Sequence, residues 1–373
     1  MNKDVLSEAV GFAVRLLPQR PNIAILGGIL IEADANALRL SVFDYEVSAQ
    51  IEVVAKVEEA GRILVSGRLL ADIANRLPNA PVEFSSEANK AVVQCGSSKF
   101  QLITMNVDSY PTLPEIPAAS GTISADAFAD AISQVAVASA KEDTTQVYST
   151  VELEADAKTI TFLATDRFRI ALREVEWKGP AESSTALVPA RTLIDVAKTF
   201  SNLGDISVSI AKRNEREMIA FKASNRSVTA QLFKGTIPPV KNLIPTDVPN
   251  FAVVATQELI DSTRRVSLVL DRDNPIKYSF ESGQVTLEAS GNETAQASES
   301  VNVELTGSPI VVSLKPQFLI DGLSGVHSEF VRISFTNNDN PNKPGPVLIT
   351  AQPTKDKPAD SYRYLLQPNL LSR

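Results

Sequence analysis

One amphipathic pattern with an acidic residue near its centre occurs three times in this 373-residue chain. The copies read RLLADIANRL, RTLIDVAKTF and QFLIDGLSGV, and they place Asp72, Asp195 and Asp321 in equivalent positions. Their spacing of roughly 120 residues is much longer than a solenoid repeat of about 20–50 residues. We therefore expect tandem domains of one fold rather than a repeat array.

The segments around each copy also repeat in a fixed order. A helical pattern such as VLSEAVGFAVRLL, with apolar residues at spacings of three and four, precedes alternating runs around a polar turn, such as GGILIEADANALRLSVF. A third strand, a short strand and the Asp-containing helix follow, and two or three further strands close the unit. Two helices packed on small antiparallel sheets form an α+β layer unit with one core.

Proline-rich segments separate the units. YPTLPEIPAAS and GTIPPVKNLIPTDVP stand where the pattern restarts, as linkers do. We place the three domains at residues 1–119, 120–246 and 247–373, each long enough to bury its own core. Only MNKD precedes the first helical pattern, whereas SGTIS precedes the second. Either the first sheet is shorter or the natural start lies upstream.

Composition narrows the possible functions. Cys95 is the only cysteine, which excludes an internal disulfide and fits a reducing cytoplasm, and His327 is the only histidine, which excludes multi-histidine metal sites. No apolar run reaches the roughly 18 residues expected of a membrane span. The net charge of −8 argues mildly against nucleic-acid binding, but the placement of Lys and Arg decides that question. We expect no cofactor and no metal.

Several segments carry a family resemblance through their order and spacing: RPNIAILGGILIE, FDYEVSA, ATDRFRIAL, LVPARTLIDVAK, IPPVKNLIP and YLLQP. Together with the triplication, they resemble the bacterial DNA polymerase III beta subunit family, the DNA sliding clamps. The resemblance implies three clamp domains and a head-to-tail homodimer that closes a ring around duplex DNA, with helices lining the hole. Such a ring is a non-catalytic processivity factor that tethers the replicative polymerase to its template.

The resemblance also implies a set of DNA contacts. A ring that slides needs Lys and Arg that attract phosphates without reading bases. The basic residues in or beside the expected helices are Arg15, Arg20, Arg68, Arg76, Lys141, Arg191, Lys198, Arg264, Arg265, Arg272 and Lys315. Three of them, Arg68, Arg76 and Arg191, each lie four residues from a repeated Asp, so solvated ion pairs are the alternative interpretation.

A peptide-binding pocket between the second and third domains is the second implied site. In the family it takes short segments of the polymerase alpha subunit, the clamp loader and other partners. By motif, its lining in this chain is Tyr148, Thr165, Arg167, Arg169, Ile170, Pro238, Leu243, Phe318, Pro346, Leu365, Leu366 and Pro368. Apolar walls would bury an anchor side chain, and Arg169 would hold a backbone carbonyl or a carboxylate.

Strand alternation bears on this pocket. In RYLLQP only one of Leu365 and Leu366 can face the core, which leaves the other for the pocket. The alternative is that Ile170 and both leucines are ordinary strand core. The family usually carries an arginine two residues after the proline of YLLQP, where this chain has Leu370.

A third implied surface closes the ring. It lies between SSKFQL of the first domain and RRVSLVL of the third domain in the other subunit, with Phe100, Leu102 and Leu268 as apolar candidates. Pairing of exposed strand edges there would remove an aggregation hazard, and two head-to-tail joints would complete the circle.

Two other function classes stay open on the residues alone. A scaffold of the same fold would keep the peptide pocket without being loaded on DNA. A carbohydrate- or nucleotide-processing enzyme would use the acidic loop clusters, and loss of activity on their mutation would favour it.

Overall fold

The computed structural model describes residues 1–18, 20–87, 89–141, 145–180, 182–211, 217–271, 274–291, 295–336, 344–354 and 357–369. Its backbone forms two compact units. Unit 1 comprises residues 1–129, 177–181 and 191–232, and unit 2 comprises residues 130–176, 182–190 and 233–373. Within the described ranges, no helix is long and apolar enough to cross a membrane.

The described helices are α1 (Lys3–Arg15), α2 (Gly67–Arg76), α3 (Ala125–Val135), α4 (Ala190–Phe200), α5 (Thr256–Ser267) and α6 (Pro316–Ser324). The strands of the first third are β1 (Gly28–Asp34), β2 (Ala37–Phe43), β3 (Val47–Val54), β4 (Gly61–Ser66), β5 (Val82–Glu87), β6 (Lys90–Cys95) and β7 (Ser98–Ile103). The strands of the middle third are β8 (Gly121–Ser124), β9 (Thr150–Ala155), β10 (Thr159–Thr165), β11 (Arg169–Glu176), β12 (Ser184–Pro189), β13 (Asp205–Ala211), β14 (Met218–Ala223) and β15 (Arg226–Gln231). The strands of the last third are β16 (Phe251–Ala255), β17 (Ile276–Glu281), β18 (Gln284–Ser290), β19 (Gln296–Thr306), β20 (Ile310–Leu314), β21 (Phe330–Phe335), β22 (Val347–Thr354) and β23 (Lys357–Leu366).

Unit 1 contains an antiparallel sheet in the order β4-β1-β2-β3-β15-β14-β13-β8 and a separate sheet in the order β5-β6-β7. Helix α1 packs on α2 and β3 through an apolar stripe that includes Leu6, Val10 and Phe12. The Asn2 side chain caps the start of α1 by accepting a hydrogen bond from the Asp4 amide at 2.8 Å.

Unit 2 contains a 12-stranded antiparallel sheet in the order β12-β9-β10-β11-β23-β22-β21-β16-β19-β18-β17-β20. Helices α5 and α6 pack against each other, and α5 also lies on β18 and β19. The buried rings of Tyr362 and Tyr364 on β23 face α6, where the Tyr364 hydroxyl donates to the Phe318 carbonyl at 2.8 Å.

The same strand pairing joins successive repeats in both units. In unit 1, β15 pairs with β3, so that Ala230 lies opposite Val47. In unit 2, β23 pairs with β11, so that Leu366 lies opposite Arg169. Because strands of the middle repeat belong to two different sheets, the backbone divides into two units although the sequence pattern occurs three times. The domain boundaries after residues 119 and 246 stay predictions.

The predicted Asp-containing helices are confirmed, since Asp72, Asp195 and Asp321 lie in α2, α4 and α6. The sequence ADAFADAISQVAVASA has the same helical pattern and predicts a helix over residues 125–140, which is too long. α3 ends at Val135 and a 3₁₀ turn follows, in which Ser139 donates its hydroxyl to the Ala136 carbonyl at 2.7 Å.

The first repeat has no strand before α1 in the described residues. Met1 alone takes that place, because it exchanges two backbone hydrogen bonds of 2.8 Å with Val82 of β5.

The close approach of α6 to β23 at Gly322 generates a stability prediction. A Cβ atom added at Gly322 would lie 2.6 Å from the Tyr364 ring, which is fully buried. Gly322→Ala should therefore destabilise the protein by about 1–3 kcal/mol through overpacking. We expect its thermal transition to fall in differential scanning calorimetry.

The matched control is Gly11→Ala in α1, where an added Cβ would meet nothing within 4 Å. Because alanine favours helix by up to about 1 kcal/mol over glycine, this change should leave the transition unchanged or raise it. Equal transitions for the two variants would contradict the packing argument.

Candidate peptide-binding pocket and basic surface

The predicted pocket residues that the structure describes lie in unit 2, and only some of them surround an apolar patch on one face of the sheet. Ile170 of β11 and Leu348 of β22 lie on either side of Leu365 of β23. With Leu163, Leu172 and Leu187 they form one buried cluster, which also includes Ile237 and Ile244 of the chain segment that precedes β16. That segment covers the sheet. The cluster is flanked by three partly buried apolar residues, Val147, Phe233 and Val240.

The rim of this patch stays accessible. Leu243 and Phe168 are 64% and 57% exposed, although both are large and apolar. The Arg167 guanidinium lies over the Tyr148 ring, 5.2 Å from its centroid, in the range of a cation–π contact. Pro238 is exposed. An apolar patch with a cationic and aromatic edge is suited to an anchor side chain on an extended peptide.

A turn with unusual backbone geometry positions this rim. Arg167 has a φ of 77°, which a non-glycine residue rarely adopts. The Thr165 hydroxyl accepts from the Arg167 amide at 3.1 Å and donates to the Arg169 carbonyl at 2.7 Å. Asp166 accepts from the amides of Phe168 and Arg169 at 3.0 and 3.1 Å. These bonds fix the turn, so the residues at its tip project outward.

Arg169 does not play the role expected from the sequence. Its Nε lies 2.9 Å from Asp166, and its Nη1 lies 2.6 Å from Asp321 and 3.2 Å from the Tyr364 hydroxyl. Burial opposes its charge, but Tyr364, Asp321 and Asp166 outweigh that effect and raise the pKa of Arg169 above its usual value. The guanidinium also lies over the Phe318 ring at 4.2 Å. Arg169 is thus held inside the protein, and it ties the turn to α6 instead of reaching a ligand.

The two adjacent leucines point to opposite faces, as alternation requires. Leu365 belongs to the apolar cluster at the pocket, whereas Leu366 shares the other face with Tyr364. Both are buried, at 4% and 1% exposure, so Leu366 is core on the helical side. Gln367 is exposed and lies two residues from Leu365, hence on the pocket face. The same alternation adds Gln367 to the lining, although the lining implied by the family motifs does not include it.

The other predicted lining residues lie at the margins. Phe318 and Pro346 are partly exposed, whereas Thr165, Ile170 and Pro368 are buried. Phe318 lies next to Arg169 on the α6 side of the sheet, away from the Leu365 face. Leu370 lies outside the described residues.

Comparison with known proteins fits this arrangement. Three domain models of the DNA polymerase III beta subunit match in order: the N-terminal domain at residues 1–114, the central domain at residues 122–239 and the C-terminal domain at residues 241–353. The chain is 42% identical over 376 residues to the beta sliding clamp of Streptomyces coelicolor, with 100% of this chain and 99% of the relative covered. The chain belongs to the DNA polymerase III beta subunit family. The beta sliding clamp of Micrococcus luteus is 43% identical over 303 residues, with 81% of this chain and 97% of the relative covered.

Solved structures of the clamp family have the same fold. The Pseudomonas aeruginosa DNA polymerase III beta subunit matches with a TM-score of 0.90 at 22% identity, over 100% of this chain and 99% of that one. A sliding clamp from the same species bound to griselimycin matches with a TM-score of 0.91 at 22% identity, over 100% of this chain and 98% of that one.

The basic residues that the clamp resemblance singled out lie mainly on helix surfaces. Arg15, Arg20, Arg68, Arg76, Lys141, Arg191, Lys198, Arg264 and Arg265 are exposed, and Lys315 is partly exposed. Lys141 follows the 3₁₀ turn after α3, and Lys315 is the residue just before α6. Arg272 lies outside the described residues.

Several of these charges have acidic neighbours. Arg76 lies 3.4 Å from Asp72, which confirms the ion-pair alternative for this pair, and Arg264 lies 3.4 Å from Asp261. Arg265 pairs with Glu299, and this hydrogen bond lowers the pKa of the Glu299 carboxyl. Exposed pairs contribute only about 0–1 kcal/mol, so such arginines can exchange one anionic partner for another at little cost.

The ring-closing candidates differ in exposure. Leu268 at the end of α5 is 83% exposed, and Phe100 on β7 is 36% exposed. Leu102 is only 2% exposed and belongs to the buried core, so it offers no free surface. Ile103, the last residue of β7, is 76% exposed and presents the apolar surface that Leu102 lacks.

The repeated Asp generates a prediction, because its surroundings differ between repeats. Asp321 holds a guanidinium that is 5% exposed, whereas Asp72 and Arg76 are 70% and 76% exposed. Asp321→Ala leaves a buried charge with one carboxylate fewer and should destabilise the protein by about 3–5 kcal/mol. Asp72→Ala should cost no more than about 1 kcal/mol. Thermal unfolding of both variants tests this, and similar losses would refute the difference in role.

Proposed function

We propose that this chain is a DNA sliding clamp. Two copies close head to tail into a ring around duplex DNA, and the ring tethers the replicative DNA polymerase to its template without catalysing a reaction. The protein acts in the bacterial cytoplasm. Its three clamp domains span residues 1–119, 120–246 and 247–373. Full-length identity of 42% to a named beta sliding clamp supports this proposal.

The repeated strand pairing is the observation that carries the ring. The last strand of the second repeat, β15, pairs with β3, and the last strand of the third repeat, β23, pairs with β11. By the same rule β7 of the first repeat needs the third strand of another repeat. In the described residues β7 is bonded on one side only, to β6. It therefore presents a free edge.

The complementary edge lies on β19, the equivalent of β3 and β11. Residues 296–302 of β19 pair with β18, and pairing with β16 begins only at Val303. A second copy can therefore place its β7 beside the first half of β19. This contact is heterologous, so it makes a closed ring when its rotation completes a circle. Pairing also removes two exposed edges that would otherwise promote aggregation.

The exposed basic residues supply the attraction to DNA. Arg15, Arg68, Arg191 and Lys198 lie on helices, and guanidinium or ammonium groups there neutralise phosphate charge without reading sequence. Affinity of this kind falls steeply with salt. A ring that is threaded on the duplex stays there without relying on this affinity. It can therefore slide along the DNA and still remain on it.

The pocket in unit 2 is proposed to dock the polymerase alpha subunit, the clamp loader and other clamp-binding proteins. The apolar floor around Leu365 accepts an anchor side chain, and Leu243, Phe168 and Gln367 at the rim contact the flanking peptide backbone. This mode of recognition combines buried side chains with main-chain contacts.

Ile103→Asp tests the ring. A carboxylate on the free edge of β7 should disfavour pairing, so light scattering should show mainly the 40.2 kDa monomer, whereas the unmodified protein should show twice that mass. The unmodified ring should remain on closed circular DNA and leave rapidly once the circle is cut. The variant should leave both forms equally fast.

Val54→Asp is the control, because Val54 is 86% exposed on β3, which has strand partners on both sides. It should keep both the dimer and the retention. If the unmodified protein left closed and cut circles at the same rate, the topological proposal would be wrong.

Leu365→Ala and Leu366→Ala test the pocket face, with griselimycin as the probe because a Pseudomonas aeruginosa clamp binds it. We expect Leu365→Ala, alone or with Ile170→Ala, to weaken binding at least tenfold, about 1.4 kcal/mol. Leu366→Ala should keep the affinity, although both single changes lower thermal stability by about 2–5 kcal/mol. Isothermal titration calorimetry measures the affinity for griselimycin, at a temperature below the unfolding transition of every variant. Equal losses would show that the face is misassigned.

A further inference from the structure

A cavity of about 230 Å³ lies in unit 1, beside the end of β2 and the paired strands β14 and β15. Phe43, Tyr45, Met218 and Gln231 are among its lining residues, and Glu46 and Glu217 add carboxylates. The rings of Phe43 and Tyr45 are 5.6 Å apart and form one wall. The space suits one or two side chains of a peptide and is smaller than a typical pocket for a drug-sized ligand.

The turn beside this cavity repeats the turn beside the pocket in unit 2. Asp44 accepts from the amides of Glu46 and Val47 at 3.0 and 2.7 Å, as Asp166 accepts from its two equivalents. Tyr45 has a φ of 76°, and Arg167 has a φ of 77°. Two non-glycine residues held in this rare conformation at the same repeat position indicate one conserved local geometry within the chain.

The strands beside the turn also correspond. The Gln231 amide donates to the Glu46 carbonyl at 2.8 Å, and the Gln367 amide donates to the Phe168 carbonyl at 2.9 Å. Thr229 lies opposite Ser48 as Leu365 lies opposite Ile170. The cavity in unit 1 is therefore the repeat equivalent of the peptide pocket in unit 2.

The side chains differ in a way that selects another ligand. Thr229 and Ser48 replace two apolar residues, and their hydroxyls bond each other at 2.7 Å. Glu46 takes the place of Phe168, and Tyr45 takes the place of Arg167. Carboxylates and a 57% exposed tyrosine ring favour a cation, through charge-assisted hydrogen bonds and cation–π contact.

The charge balance of the described lining supports this selection, since it contains two carboxylates and no Lys or Arg. The basic residues Lys212, Arg213 and Arg216 precede Glu217 in the sequence but lie outside the described residues.

We propose that this cavity is a second peptide-docking site, and that it binds extended segments which carry Lys or Arg beside Leu or Phe. The proposal depends on the local geometry of unit 1 and not on ring formation.

Site-directed tethering tests the proposal, because Cys95 is fully buried and an introduced thiol would be the one reactive group on the described surface. Gln231→Cys places that thiol at the cavity, and Gln367→Cys places it at the equivalent position in unit 2. The probes are two pools of hexapeptide disulfides randomised over Leu, Phe and Gln, one with Lys and Arg and one with Asp and Glu. Intact-protein mass spectrometry under partial reduction measures which peptides are retained.

We expect Gln231→Cys to retain basic peptides at least fivefold over acidic ones, and Gln367→Cys to show no such excess. Glu46→Lys together with Glu217→Lys should abolish the preference of Gln231→Cys. An exposed site away from the cavity, Glu83→Cys, gives the background.

Three outcomes would overturn the proposal. Retention at Gln231→Cys could equal the Glu83→Cys background, the acidic pool could be retained as well as the basic pool, or the double charge reversal could leave the preference intact. Circular dichroism of each variant confirms that a loss reflects the site and not unfolding. Because tethering needs neither DNA nor the dimer, failure here leaves the proposed clamp function untouched, and a missing ring would not affect this test.

Discussion

Backbone hydrogen bonding between the last strand of one repeat and the third strand of another is the interaction on which this structure depends. Every exposed strand edge carries unpaired amide and carbonyl groups, and leaving them so is hazardous. Two of the three repeats meet this requirement inside the chain, through the β15–β3 and β23–β11 pairs. The first repeat offers β7 with one neighbour in the described residues, and that imbalance is what makes association with another copy physically reasonable.

The pairing of strands from successive repeats also creates the two binding sites, the cavity beside Glu46 in unit 1 and the pocket around Leu365 in unit 2. At each joint a turn, a strand end and a proline-containing linker meet, and the hydrogen bonds of one Asp hold the turn in a rare conformation. Sequence divergence then gives each cleft its own chemistry: apolar around Leu365 and acidic around Glu46. One scaffold can thus present different surfaces without altering its backbone.

Much of the fold could be predicted from periodicity. The helix around each repeated Asp and the hairpins followed from local spacing, because amphipathic segments that pack on a sheet keep a regular pattern. The joining of repeats into common sheets could not be predicted, since edge pairing leaves no periodic signal. The end of α3 at Val135 was also missed, because apolar residues continue through the following turn.

The site was only partly accessible to sequence reasoning. Motif resemblance assigned Ile170, Leu243 and Leu365 to one pocket. It could not show that Arg169 is bound by Asp321, which lies 152 positions further along the chain. It also grouped Leu366 with Leu365, although strand alternation separates them. Tertiary ion pairs and sheet facing depend on neighbours that are distant in sequence, so residue identity alone does not determine them.

The linkers at the internal joints have a mechanical consequence. When β15 separates from β3, the chain still holds the two strands near each other, at an effective concentration that is in the millimolar range for short tethers. A contact between two copies has no such tether, so its strands diffuse apart once separated. In a ring built this way, strand pairs within one chain re-form quickly after they separate. Lasting openings occur at the contact between two copies.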